Sequence, residues 1–156
     1  MAILNIVKDG DEILRKKCKE IEKVDEKILT LIDDMKETME KAGGVGLAAP
    51  QIGKLRQVVV INTGEEELVL LNPKMLKKSG SQEDLEGCLS CPGKWGITKR
   101  PMKVEVETLD LEGKKIRVKA EGFLAKAICH EMDHLEGKLF YDEAVRMLTQ
   151  EEIEAL

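Results

Sequence analysis

His130 and His134 are the only histidines in the chain, and the stretch between them reads His130-Glu131-Met132-Asp133-His134. On an α-helix four residues advance about 400° and rise about 6 Å, so both imidazoles leave one face. Two imidazoles placed this way can grip a single metal ion. Glu131, turned about 100° from His130, can reach past that ion to a bound water. This is the H-E-x-x-H arrangement, in which the ion lowers the pKa of the water to around 7 and the glutamate serves as general base. The competing reading is a polar helix face that happens to spell HEMDH. Leu124, Ala127, Ile128 and Leu135 weigh against it, because they make the same helix apolar and draw the histidines toward the core.

Two histidines do not complete a catalytic site, which needs a third protein ligand and an open position. The stretch EDLEGCLSCPG offers Cys88 and Cys91. Cys88 with His130 and His134 would leave one position for water. Cys88 and Cys91 together with both histidines would instead make a closed Cys2His2 zinc site, hence a metal-stabilised binding module with no task for Glu131. The gap from Cys91 to His130 far exceeds the finger spacing of about 12–15 residues. If 86–90 runs extended, the two thiols also point to opposite faces. A thiolate with two imidazoles suits zinc, iron, cobalt or nickel about equally.

The elements that must position these groups follow from periodicity. Asp25 can cap a helix whose residues Ile28, Leu31, Ile32, Met35 and Met39 share a face, with Gly43 and Gly44 ending it. RQVVVIN (56–62) and ELVLLN (67–72) read as strands with Gly64 in the turn between them. KVEVETL and KKIRVKA alternate around DLEG, an antiparallel hairpin over about 103–120. Gly122 opens the histidine helix, which runs through Leu135 and is closed by Gly137. Thr149 and Glu152 form a capping-box pattern for a last, short helix. GGVGLAAPQ (43–51) fits the dinucleotide fingerprint by letter, but it follows a helix and is interrupted by Pro50, so it reads as a helix-ending loop. That leaves Gln51 without a task. Strands grouped ahead of one central helix predict an α+β domain spanning 1–156.

Composition narrows the partners. A net charge of -5 argues against nucleic acid or an anionic membrane, both of which select basic surfaces. The N-terminal apolar run lacks a basic flank and is cut short by Lys8 and Asp9, unlike a secretory signal. No stretch approaches the roughly 18 apolar residues that span a bilayer. A cytosolic location is expected, in which Cys18, Cys88, Cys91 and Cys129 stay reduced and serve as buried thiols or metal ligands.

Three stretches, GVGLAAPQ, EGCLS and HEMDH, resemble in order and rough spacing the signature motifs of peptide deformylases. The resemblance covers nearly the whole chain. It implies antiparallel sheets packed around a central metal-binding helix, with an N-terminal helix and a short C-terminal one. It also implies hydrolysis of the N-formyl group from the initiator methionine of nascent polypeptides in the cytoplasm, bacterial rather than organellar. By position, Cys88, His130 and His134 match the metal ligands, and Glu131 the general acid/base that works on the metal-bound water. Gln51 and the backbone N–H of Leu89 match the oxyanion donors, and Gly46 a residue whose backbone pairs with substrate. The implied ion is Fe(2+), with Zn(2+), Ni(2+) or Co(2+) as substitutes. The implied partners are N-formylmethionyl nascent chains, met in transient proximity to the ribosome by a monomer. Val45, Phe123 and Ala127 are candidate linings of an apolar methionine pocket. Glu86 and Arg100 are expected to pair and steady the Cys88 segment. Cys129 stands where the family commonly has glutamine, and Asp84 and Lys126 fall near positions that are often apolar.

Overall fold

The computed structural model describes residues 2–156. The N-terminal helix α1 (Glu26–Lys41) starts where Asp25 accepts a hydrogen bond from the Ile28 N–H at 3.1 Å. Strands β1 (Gly46–Ala48), β2 (Val58–Asn62) and β3 (Glu67–Ser79) follow, then β4 (Gln82–Glu86) and β5 (Gly96–Arg100). The hairpin β6 (Lys103–Leu109) and β7 (Lys115–Glu121) leads into α2 (Phe123–Leu135). A two-residue strand β8 (Arg146–Met147) and α3 (Gln150–Glu154) complete the order. The fold is α+β, with antiparallel sheets around the histidine-bearing helix.

Five strands pair in the order β1-β2-β3-β6-β7, and β4-β5-β8 form a second sheet. The larger sheet lies between the two long helices. Val59, Ile61 and Leu70 pack with Ala125, Ile128 and Leu135 of α2. Val58, Val60 and Leu71 point the other way, onto Ile28, Ile32, Met35 and Met39 of α1. Both faces of β2 are therefore buried, which is why its sequence is an unbroken apolar run rather than an alternation. Burial of each such aliphatic side chain is worth about 1.5–3 kcal/mol, so the helices are held chiefly by this packing.

Three elements depart from the sequence reading. The glycine segment is not a plain loop: residues 46–48 form β1 at the edge of the five-stranded sheet, in register with Val59–Ile61 of β2. The strand expected to stop at Asn72 continues to Ser79 across a register shift. Asn72 takes a left-handed conformation (φ 50°) there, and its side chain bonds both the N–H and the C=O of Ile21, at 2.8 and 2.9 Å. That tether lets Pro73 sit within the strand, at an irregularity where no ladder N–H is needed. The third departure is the second sheet, one of whose strands follows the central helix. Among the described residues no helix is long and apolar enough to cross a membrane.

Candidate metal centre

Helix α2 buries Ala125, Ile128 and Leu135 against the large sheet. The same helical phase turns His130, Glu131 and His134 toward the segment that leaves β4. Gly122, at φ 64°, makes the sharp entry to this helix, a conformation open to glycine. Cys88 arrives two residues after β4 ends. Its sulfur and one nitrogen from each of His130 and His134 all lie within 4.8 Å of one another. His134 Nε2 is 3.4 Å from Cys88 Sγ, and Glu131 Oε2 is 3.9 Å from His130 Nε2. One helix and one loop thus converge three donor atoms of the expected types, with a carboxylate beside them.

Cys91 is not part of this group. Residues 88–91 do not run extended; they turn, with the Cys91 N–H donating to the Cys88 carbonyl at 3.0 Å. Cys91 is buried instead beside Leu14, Leu139 and Phe140. The closed four-ligand arrangement is therefore not formed. Cys18 and Cys129 are free buried thiols, each pushed up to about 11, chiefly by burial.

Glu86 and Arg100 pair as expected, and the pair reaches further than the sequence indicates. Arg100 Nη2 and Nε donate to the two Glu86 carboxylate oxygens at 2.7 and 3.1 Å. Thr98 donates its hydroxyl to the same carboxylate at 2.7 Å, and Arg100 Nη1 holds Asp133 at 2.7 Å. The second Glu86 oxygen lies 2.5 Å from His130 Nδ1. This contact assigns the proton to Nδ1 and turns the lone pair of Nε2 toward Cys88, as outer carboxylates do for ligating histidines. Thr98 and Asp133 carry no sequence signal for this role; only the pairing of β4 with β5 and the turn of α2 bring them in.

Gln51 is fully buried in the 3₁₀ turn after β1. Its Oε1 accepts from the Ala48 N–H at 2.9 Å, which fixes the amide so that Nε2 faces the centre. Nε2 lies 3.1 Å from Ser90 Oγ and 3.6 Å from Cys88 Sγ. The Asn62 N–H donates to the Val45 carbonyl. By antiparallel alternation, the N–H and C=O of Gly46 then face away from β2, along the free edge of the sheet. A Cβ at Gly46 would collide with the Glu131 carboxylate. Gly46→Ala is accordingly expected to keep its metal and lose about 10²-fold in kcat/KM, since small displacements of a reacting group cost this much. Metal content per chain measured beside steady-state rates checks it.

The centre opens into a cavity of about 340 Å³. Val45, Gly46, Leu89, Phe123 and Ala127 all line it, together with Trp95, which sequence reasoning did not single out. The electrostatics suit a cation. Burial and the neighbouring His130 hold His134 down to about 3, leaving a neutral imidazole with a lone pair to give. The Cys91 thiol, burial and the Glu131 carboxylate all push the Cys88 thiol up, so a thiolate there requires a positive partner. Glu131 is raised to about 7 by burial, against the pull of His130, and its Oε1 has no hydrogen-bond partner among the described residues. Burial disfavours charge on Glu86, but hydrogen bonds from His130 and Arg100 hold its carboxyl far below the usual range. A divalent ion seated between Cys88, His130 and His134 fits the donor set, and it balances the thiolate and Glu131.

Comparison with known proteins gives the same picture. The polypeptide deformylase family model matches residues 3–150. A peptide deformylase of Acetivibrio thermocellus is 53% identical over 154 residues, which are 99% of this chain and 91% of that protein. A crystal structure of a peptide deformylase from Synechococcus elongatus in complex with actinonin superposes with a TM-score of 0.88 at 39% identity, covering 97% of this chain and 82% of that one. The crystal structure of peptide deformylase from Thermotoga maritima gives 0.90 at 34% identity, over 92% and 99%.

Proposed function

The chain belongs to the polypeptide deformylase family, and from that premise we infer its reaction: metal-dependent hydrolysis of the N-formyl group from the initiator methionine of nascent polypeptides, with release of formate. The observation that carries this reading is the convergence of Cys88, His130 and His134 within 4.8 Å, with Glu131 beside them. Those three residues hold a divalent ion, Fe(2+) in our reading, with Zn(2+), Ni(2+) or Co(2+) able to replace it. The ion, when bound, supplies Lewis acidity and a water of lowered pKa.

The rest falls to the chain. Glu131 takes the proton of the attacking water and returns it to the departing amine nitrogen. The Gln51 amide, fixed by Ala48, holds Nε2 beside Cys88, and its long 3.6 Å contact with that sulfur is the one a developing oxyanion would replace, helped by the N–H of Leu89. One such donor is worth about 2.7–4 kcal/mol. The free edge of β1 receives the substrate main chain at Gly46, as an added strand, which tolerates varied sequences. Val45, Phe123 and Ala127 support an apolar seat for the methionine side chain. The tight approach of Gly46 to Glu131 supports selection of formyl, the smallest acyl group, by crowding.

The reading extends to the setting. Free cysteines at all four positions suit a reducing cytoplasm. We read the protein as a monomer that acts on chains emerging from the ribosome. The test is release of formate from formyl-Met-Ala-Ser by metal-loaded protein, compared with acetyl-Met-Ala-Ser. We expect turnover of the first only, abolished by chelation and restored by the added ion. Equal turnover of both peptides, or of neither, would overturn the assignment.

A further inference from the structure

One wall of the cavity is not apolar. Lys126, on α2 and four residues before His130, lines it beside Phe123, Ala127 and Leu85. Its side chain is 9% exposed. The ammonium donates to the Leu85 carbonyl at 2.9 Å and to Asp84 Oδ2 at 3.2 Å, and it sits 5.0 Å from the centre of the Phe123 ring. Asp84 itself is 60% exposed, so the carboxylate lies at the rim and the cation inside. An ammonium has three N–H donors, and two are engaged here.

Distance along the helix says what this cation can meet. Four residues are about 6 Å of rise. A substrate whose scissile amide lies at Glu131 and His130 carries its methionine Cα within a few ångströms of them. An extended methionine side chain then brings its sulfur to the level of Lys126 and the Phe123 ring. The ring is a partner for the thioether. The ammonium is a partner for an acceptor oxygen on that same sulfur.

We propose that Lys126, held by Asp84 and the Leu85 carbonyl, is a specificity-determining residue that admits N-formylmethionine sulfoxide as a substrate alongside N-formylmethionine. Oxidation turns an apolar side chain into a polar, chiral one. A wholly apolar wall would leave the new oxygen desolvated and unpaired, a cost that excludes it strongly. A charge-assisted hydrogen bond from Lys126 removes that cost for the epimer whose oxygen faces it. The inference rests on the deformylase reading of the site.

The test measures kcat/KM for formyl-Met-Ala-Ser and for each epimer of its sulfoxide, with metal-loaded protein. We expect the better epimer to fall within about tenfold of the unoxidised peptide, and the other to be slower by tenfold or more. In Lys126→Met the sulfoxide-to-thioether ratio should drop at least tenfold, and in Lys126→Arg it should be largely kept. The ratio is the readout, so a general loss of activity in a variant does not imitate the effect. Discrimination above about 100-fold against both epimers by the unaltered protein overturns the proposal without any variant, and so does a ratio unmoved in Lys126→Met. Failure to turn over the unoxidised peptide would overturn the reaction itself, and with it this use of Lys126.

Discussion

Glu131→Gln should bind its metal as the parent does and lose about 10³-fold or more in kcat. The amide has the size and shape of the carboxylate, so Cys88, His130 and His134 keep their places. What disappears is the group that accepts and returns a proton, a contribution in the range of 10² to 10⁴ for general acid–base catalysis. Burial raises the Glu131 carboxyl to about 7, which suits a group that must do both near neutral pH. A cation beside it draws that value down again and leaves the carboxylate as the resting form. Single-turnover rates of formate release, measured with metal analysis, decide the matter. A variant within tenfold of the parent would require a different base.

The same substitution has a second readout in metal-free protein. A carboxyl whose folded-state pKa lies above its unfolded value of 4.5 binds its proton more tightly when folded. Its contribution to stability is complete below pH 4.5 and is lost as pH rises through about 7. The metal-free parent should therefore lose stability relative to Glu131→Gln between those limits, and adding the ion should narrow the difference. Denaturant melts at pH 5 and 7.5 measure it. Equal pH dependence in the two proteins would contradict the burial argument.

How much of this was legible in the residues follows from what each signal contains. The spacing of His130 and His134 reports a helix face directly, because the period of the helix is local. Asp25 and Thr149 mark helix starts for the same reason, and both caps are formed. Strands β4 and β5 were not legible: Gln82–Glu86 and Gly96–Arg100 are short and mostly polar, and their buried residues Glu86, Thr98 and Arg100 are charged or hydroxylic. These residues are inside because they satisfy one another, which no periodicity of hydropathy records. The edge strand β1 was hidden by its glycines. Gly46 reads as a turn residue, and only the proximity of Glu131 shows that a side chain there would be a collision. The Cys88–Cys91 spacing was ambiguous in sequence because an extended run and a turn place the second thiol differently. The turn buries Cys91 among Leu14, Leu139 and Phe140, where its thiol meets that of Cys88 but stays outside the three-donor group.

Arg100→Ala carries the other large effect, and it falls on folding and metal affinity together. Glu86 is 5% exposed and Arg100 9%. Removing the guanidinium strips two hydrogen bonds from a buried carboxylate and one from Asp133. Breaking one side of a buried ion pair costs about 3–5 kcal/mol, because the remaining charge stays desolvated. Glu86 then relaxes toward its remaining partners, Thr98 and His130, or takes up a proton. Either change disturbs the 2.5 Å contact that orients the His130 ring. Outer-shell losses of this kind typically weaken metal binding 10–100-fold. Arg100→Lys should recover part of the stability and less of the affinity, since one ammonium cannot reproduce the Nε and Nη2 fork. The double variant Glu86→Gln with Arg100→Met should be less destabilised than Arg100→Ala alone, because the buried carboxylate is gone and only the partly exposed Asp133 loses a partner, yet its metal affinity should remain low because His130 still lacks its carboxylate. Urea unfolding combined with chelator competition separates the two effects. Stability lost with affinity unchanged would make Arg100 a folding residue only, and the ring of His130 would have to be held by something other than Glu86.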